Sequence, residues 1–349
     1  MELQPRENEF TRSYYDIVRA QFQRNKLALS ALHVIYFLIF IFVFADFIAN
    51  DKPIIMRYQG ETYSPLLREY GVKLLGMQWQ EEFKTQQFKL LEQKKFSEGD
   101  WAIYPPVPYS STGYDLKQTL TPPSRHHLLG TDEIGRDLLS QVVHGARVSL
   151  LVGFVSVVLY VIIGVFLGAL AGYYGGWVDM IVLRMIEVMI TLPRLFLIIT
   201  IVAVIESQSI LNIMIILGLT SWTRVARFTR AEFLKVKNED YVQAARALGY
   251  NDFRTIFLHA LPNTLTPVLV TATFGIAQAI LIESGLSFLG FGAPPEQATW
   301  GALLSSARDI LPSGWWLTTF PGFAIFLTVT VYNLVGEGLR DALDPRLKQ

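Results

Sequence analysis

Residues Asp240–Asn263 read DYVQAARALGYNDFRTIFLHALPN, a polar, alanine-rich segment between two long apolar runs. Tyr241–Leu248 is composed of good helix formers, and Gly249 can supply the left-handed residue that ends a helix. Asn251 or Asp252 can cap a second helix that starts near Phe253. Leu261-Pro262 is expected to stop it, because proline has no amide hydrogen and crowds the preceding turn. Ala244, Ala245, Leu248, Phe253, Ile256 and Phe257 are more apolar surface than so short a hairpin can bury, so part of it is expected to face a partner. The segment reads as two short helices and a corner, a cytoplasmic knob that fits into another protein and passes its motion to the membrane.

Outward from this elbow the chain is a membrane protein. Its 349 residues are 51% apolar with a formal net charge of +0, and mean hydropathy is positive. Long apolar blocks alternate with polar ones, the pattern of an integral membrane protein. The charge balance gives no reason to expect nucleic acid as a partner. Cysteine is absent, which excludes a disulfide framework, a thiolate metal site and a cysteine nucleophile. His33, His126, His127, His144 and His259 show no metal-ligand spacing. No GxxxxGK[ST] loop, G-x-S-x-G elbow or H-E-x-x-H helix occurs, so nothing marks the chain as an enzyme.

Six apolar runs are long enough, or nearly so, to cross a hydrocarbon core of about 20 residues. They lie at Leu27–Ala49, Val148–Ala171, Met180–Ile205, Ile210–Val225, Thr264–Ile282 and Trp315–Val335. The first is too long for a cleaved signal peptide and lacks an evident small-residue cleavage site. In the second, Gly164, Gly168 and Gly172 share one helix face, which lets two helix backbones approach closely. In the third, Pro193 is expected to impose a kink. Trp315 and Trp316 are placed as interfacial anchors of the sixth. The expected fold is thus an all-α membrane protein of six transmembrane helices with a polar extracytoplasmic insertion after the first.

The organisation follows in order: a tail 1–26, the first helix 27–49, an insertion 50–145, a core 146–339 containing five more helices and a cytoplasmic loop 226–263, and a tail 340–349. The insertion carries Trp79, Trp101, Tyr104, Pro105, Pro106, Pro108, Lys94 and Lys95. It ends in LGTDEIGRDLLSQVVHGARVSL, where Thr131 or Asp132 could cap the helix leading into the second span. Basic residues set the orientation. Arg6, Arg12, Arg19, Arg24 and Lys26 flank the first span; Arg224, Arg227, Arg230, Lys235, Lys237, Arg246 and Arg254 follow the fourth; Arg340, Arg346 and Lys348 follow the sixth. Positive-inside places these together in the cytoplasm, with both termini.

Charged residues within or beside the spans are the other candidate sites. Arg184 and Glu187 are three apart and share a helix face; each costs about 2.5–3.5 kcal/mol at the centre of a bilayer. They are either a structural pair or part of a pathway or gate. Glu283 sits at the end of the fifth span, either in an outer vestibule or at headgroup level. Ser284–Pro312 is punctuated by Gly and Pro and then helical around Ala302–Ile310, a connecting loop with an interfacial helix, or else a docking surface or a lid over the pathway.

The elbow resembles the cytoplasmic loop of ABC importer permeases, whose signature is EAA-x3-G: Ala244, Ala245 and Gly249 match, Gln243 stands in place of the glutamate, and Leu261-Pro262 matches the closing Leu-Pro. LGTDEIGRDLLSQVVHGARVSL, ESGLSFLGFGAPPEQATWG and LRDALDPRLK are similar to the C-subunit type of dipeptide and oligopeptide permeases. NDKPIIMRYQGETYSP and WAIYPPVPYS resemble the subfamily tied to microcin C and oligopeptide uptake. The resemblance implies a type I importer fold. It makes Gln243, Ala244, Ala245, Gly249, Asp252, Phe253, Ile256, Leu261 and Pro262 the residues that couple to an ATPase. The implied partners are a homologous second permease, two ATP-binding cassette subunits that hold ATP and Mg, and an extracytoplasmic peptide-binding protein. Nickel or glutathione import is the alternative within the branch. An ion-coupled secondary transporter would require mid-membrane carboxylates and repeats, and a receptor or scaffold would centre on the insertion.

Overall fold

The computed structural model describes residues 14–68, 88–96, 99–205, 209–294 and 297–343. Arg6, Arg12, Trp79, Arg346 and Lys348 lie outside them. Helix dominates: α1 (Tyr14–Arg24), α2 (Lys26–Ile48), α3 (Phe88–Lys95), α4 (Leu138–Tyr174), α5 (Gly176–Thr191), α6 (Arg194–Ile205), α7 (Ile210–Val236), α8 (Asp240–Ala247), α9 (Asp252–Arg254), α10 (Leu261–Thr264), α11 (Thr266–Phe288), α12 (Trp300–Ala307) and α13 (Trp315–Leu343). Among the described residues α2, α4, α11 and α13 are long and apolar enough to cross a membrane, and the bent pair α5–α6 makes a fifth candidate. The described residues fall into two compact units. One comprises the chain up to Tyr36, Val152–Ile282 and the chain from Leu327; the other comprises Phe37–Leu151 and Glu283–Phe326.

The first unit is organised by glycine. A Cβ on Gly164 would lie 2.7 Å from the Trp222 carbonyl oxygen, one on Gly168 2.5 Å from that of Ala226, and one on Gly172 2.7 Å from that of Arg230. The bare face of α4 therefore seats directly on the backbone of α7, as close packing of small residues allows. Val157, Tyr160 and Val165 of α4 share a core with Val182 and Ile186 of α5 and Trp222, Val225 and Ala226 of α7. An ion pair from Arg230 to Asp179, with Nη2 donating to Oδ2 at 2.6 Å, ties α7 to α5.

The third apolar run bends at Pro193, as expected, and more sharply than a kink within one helix. It breaks into α5 and α6, bent by 87°. Leu192, the residue before Pro193, is extended at φ −84°, ψ 131°, the conformation that proline imposes on its predecessor. The fourth run continues past Val225 as the single helix α7 to Val236. Its second half carries Arg224, Arg227, Arg230, Glu232 and Lys235.

The second unit adds a small sheet to the helical fold. The insertion folds partly as a three-stranded antiparallel sheet in the order β2-β1-β3, from β1 (Ile55–Tyr58), β2 (Glu61–Tyr63) and β3 (Trp101–Ile103). Gln59 and Gly60, at φ 52° and 82°, make a two-residue hairpin turn whose positive φ values match the strand twist. Met56 faces Tyr63 on one side and Ala102 on the other. Met56 and Tyr58 bury with Phe88 and Leu91 of α3.

The segment before α4 is a buried polar knot. Asp132, expected as a helix cap, instead closes its own turn: Oδ1 accepts the amides of Ile134 (3.1 Å) and Arg136 (2.8 Å), and Arg136 Nε donates to Oδ2 at 2.6 Å. The cap of α4 is Asp137, whose Oδ1 accepts from the Ser140 amide at 2.8 Å. The His127 ring lies between Asp137 Oδ2 and Gln118 Oε1, 2.8 Å from each. Trp316 is not an interfacial anchor: it is 4% exposed, and its Nε1 donates to the Thr131 carbonyl at 3.0 Å. Trp315 is exposed. The helix expected near Ala302–Ile310 is α12 followed by a 3₁₀ turn Arg308–Ile310.

Candidate coupling elbow

The corner at Gly249 is built by local hydrogen bonds. Gly249 has φ +77°. Its amide donates to Arg246 O at 2.9 Å, and that of Tyr250 to Ala245 O at 3.2 Å. This pair of bonds is the glycine-dependent Schellman ending of a helix. Asn251 then caps the next turn, its Oδ1 accepting from the Arg254 amide at 2.8 Å. Of the two residues expected as caps, Asn251 takes the role.

The expected stop at Leu261-Pro262 does not occur. After α9 the chain runs as a π-helical segment Thr255–Ala260 and passes directly into α10, with Pro262 in its first turn. Proline is tolerated in the first turn of a helix because the amide hydrogens there lack intrahelical partners. The wider π turn supplies such a start without breaking the path, and π segments of one turn are uncommon insertions.

The inner face of the elbow is fixed. Val242, Ile256 and Ala260 pack with Ala169 and Tyr173 of α4 and Phe233 of α7, and Ala245 is also buried. The Tyr173 hydroxyl donates to Asp252 Oδ1 at 2.8 Å and accepts from Arg246 Nε at 3.1 Å. The Arg246 guanidinium also lies 4.6 Å from the Tyr173 ring centre, a cation–π contact. One phenol thus bridges both arms of the corner. Burial holds the Tyr241 phenol above its ordinary pKa.

The outer face is apolar and uncovered. Leu248 is 73% and Phe253 69% exposed, and Ala244, Gln243 and Gly249 are exposed beside them. Gln243 Nε2 donates to Lys237 O at 3.1 Å, so its side chain folds back along the chain. The nine elbow residues therefore divide: Ala245 and Ile256 are buried, Asp252 is a tether, Leu261 is half-buried, and Gln243, Ala244, Gly249, Phe253 and Pro262 are exposed.

The charged candidates are elsewhere. Arg184 Nη1 donates to Glu187 Oε2 at 2.6 Å with both side chains largely exposed, the pairing expected of a shared helix face. Glu283 is fully buried, with Ser287 Oγ donating to its Oε1 at 2.8 Å and the hydroxyls of Ser284 and Thr299 beside the carboxylate. Sequence reasoning missed a polar cavity around Arg194. Its signal was legible as polar residues at helical spacing inside apolar runs: Ser156 and Tyr160, Thr220, Thr223, Arg224 and Arg227, and Thr271 and Gln278.

The chain matches the family described as "Binding-protein-dependent transport system inner membrane component" over residues 164–349. It is 41% identical over 249 residues to a dipeptide transport system permease protein DppC of Alkalihalophilus pseudofirmus, covering 71% of this chain and 82% of that one. It is 40% identical to the glutathione transport system permease protein GsiD of Pectobacterium atrosepticum over 71% of this chain and 82% of that one. The inner membrane ABC transporter permease protein YejE of Escherichia coli is 34% identical over 334 residues, 93% of this chain and 95% of its own, an extent that takes in the insertion. With the match spanning more than half the chain and the elbow and apolar helices in place, this protein belongs to the inner-membrane components of binding-protein-dependent transport systems and is a multi-pass membrane protein.

Proposed function

We propose that the chain is the permease subunit of an ATP-driven peptide importer. It crosses the membrane six times, through α2, α4, the bent pair α5–α6, α7, α11 and α13, with both termini in the cytoplasm and the insertion outside. A homologous second permease completes the pathway, an extracytoplasmic binding protein delivers peptide, and two ATPase subunits bind ATP and Mg. The elbow docks on one ATPase. The observation that carries this reading is the two-faced elbow: a glycine-terminated corner whose inner side is buried against α4 and α7 while Leu248 and Phe253 project uncovered. Closure of the ATPase dimer would pull the elbow, and the helices packed on it would alternate between two arrangements.

The test is uptake of a tripeptide into proteoliposomes holding the complete importer. Gly249→Val puts a Cβ where nothing lies within 4 Å. Its effect is on the backbone: a side chain at φ +77° costs about 1–2 kcal/mol, and a branched one is disfavoured most. Membrane insertion should persist while ATP-driven uptake is lost. Normal uptake by the variant would refute the role of the corner, and uptake that ignores ATP but collapses with an ion gradient would refute the importer.

A further inference from the structure

The first unit holds a partly open cavity of about 190 Å³, well above the ~10–15 Å³ that one water needs, with Arg194 half-buried and Arg224 and Arg227 exposed at it. Helical spacing converges on it from several elements. Ser156 and Tyr160 come from α4, Arg194 from the start of α6, Ser221, Arg224 and Arg227 from α7, and Gln278 from α11. Among the described residues no Asp or Glu lines it. Arg194 Nη2 donates to the Ser221 hydroxyl, which in turn donates to Leu217 O. The Arg194 Nε–H is buried and has no acceptor among the described residues. Arg224 and Arg227 form no hydrogen bond or ion pair with the described residues. Gly275 gives the Tyr160 hydroxyl its room, since any Cβ there would collide with it.

An arginine set in an otherwise apolar segment is costly unless an anion meets it, and none of the described lining residues provides one. A guanidinium presents a planar fork that matches a carboxylate in two parallel hydrogen bonds. We infer that this cavity receives the carboxylate end of a peptide in transit, with Arg194 as the anchoring donor and Arg224 and Arg227 as the surrounding positive field. The inference rests on the peptide-import reading and adds to it which end of the cargo is held, and where. The Ser156, Tyr160 and Gln278 side chains supply neutral polar lining beside the fork, so the site tolerates water and holds its ligand loosely enough to release it.

The test uses the complete permease–ATPase complex in phosphatidylcholine nanodiscs, without a binding protein. Saturation-transfer NMR reports the affinity of trialanine and of its C-terminal amide. The acid should bind at least tenfold more tightly than the amide. Arg194→Gln should erase that ratio, Arg194→Lys should preserve part of it, and Arg224→Gln should lower it, the last two carrying the comparison if Arg194→Gln fails to assemble. Equal binding of acid and amide, or binding of neither, overturns the inference. So does displacement of trialanine by an equal concentration of inorganic phosphate, which marks a general anion site, and so does loss of the ratio when phosphatidylglycerol is added, which marks a lipid headgroup site. Uptake in proteoliposomes is measured alongside: peptide uptake without an acid–amide difference sinks the cavity assignment alone, whereas absence of uptake sinks the importer reading.

Discussion

Replacing Gly168 by alanine tests whether α4 and α7 are locked together by backbone contact. The added Cβ would lie 2.5 Å from Ala226 O, 2.8 Å from Thr229 Cβ and 3.1 Å from Ala226 C. An ordinary carbon–oxygen contact is about 3.3–3.6 Å, so the helices must separate by roughly 1 Å at this level. Two of the three obstructing atoms are backbone, which no rotamer change can move aside. A gap of ~0.5–1 Å forfeits a quarter to a half of the dispersion well for every pair it opens, and the contacts at Gly164 and Gly172 open with it. Overpacking of this kind costs about 1–3 kcal/mol; the better helix propensity of alanine returns up to ~1 kcal/mol. A net loss of ~1–2 kcal/mol corresponds to a ~5- to 30-fold fall in the folded-to-unfolded ratio. Reversible unfolding in mixed micelles of rising dodecyl sulfate content, followed by circular dichroism, measures it. Gly285→Ala is the matched control, since nothing lies within 4 Å of its Cβ, and it should be neutral or stabilising by up to ~1 kcal/mol. A Gly168→Ala protein as stable as the parent would refute the close seating of the two helices.

Other outcomes follow from the same geometry. Tyr173→Phe removes the donor to Asp252 and the acceptor for Arg246 while keeping the ring in its core; the fold should persist, and peptide uptake per ATP hydrolysed should fall. Leu248→Asp and Phe253→Asp change exposed positions, so permease stability should shift by no more than ~0.5 kcal/mol, whereas co-purification of the ATPase should drop at least tenfold. Trp316→Phe leaves the buried Thr131 carbonyl without its indole donor, a loss of ~1–3 kcal/mol readable as a lower melting temperature.

The elbow was legible because its signals are local. Helix formers, one glycine, one asparagine cap and a surplus of apolar side chains specify a two-faced corner without reference to the rest of the chain. The glycine face of α4 was legible for the same reason, since spacing of four needs only helix geometry. Elements set by distant partners were not. Leu192-Pro193 gives a bend in sequence, but its 87° depends on how α6 docks against α7. Thr131 and Asp132 are the caps that the local sequence suggests, and only the turn that Asp132 forms with Arg136 leaves the role to Asp137. Trp316 has the composition of an interfacial anchor and the environment of a core residue, because its acceptor, Thr131, lies 185 residues away in sequence. The strands of the insertion are short, and Trp101–Ile103 pairs with Ile55–Tyr58 across a long intervening segment.

The elbow and the Arg194 cavity share two helices packed backbone to backbone, α4 and α7. Tyr173, at the end of α4, grips both arms of the elbow, and α4 is seated on α7 along Gly164, Gly168 and Gly172. Ser156 and Tyr160 of α4 and Arg224 and Arg227 of α7 stand on the same two helices that carry the elbow. Arg194 stands on α6, beyond the break at Pro193. The cavity wall is therefore divided at the break before α6: α4 and α7, which carry the elbow, form one part, and α6 brings Arg194 from the other. The bond from Arg194 to Ser221 spans that division, so it is the contact that differential motion would stretch first. Coupling of this kind calls for energetic proof beyond adjacency. A double-mutant cycle between Tyr173→Phe and Ser221→Ala, read as peptide uptake per ATP, should be non-additive; strictly additive losses would mean that the pair does not move as one body.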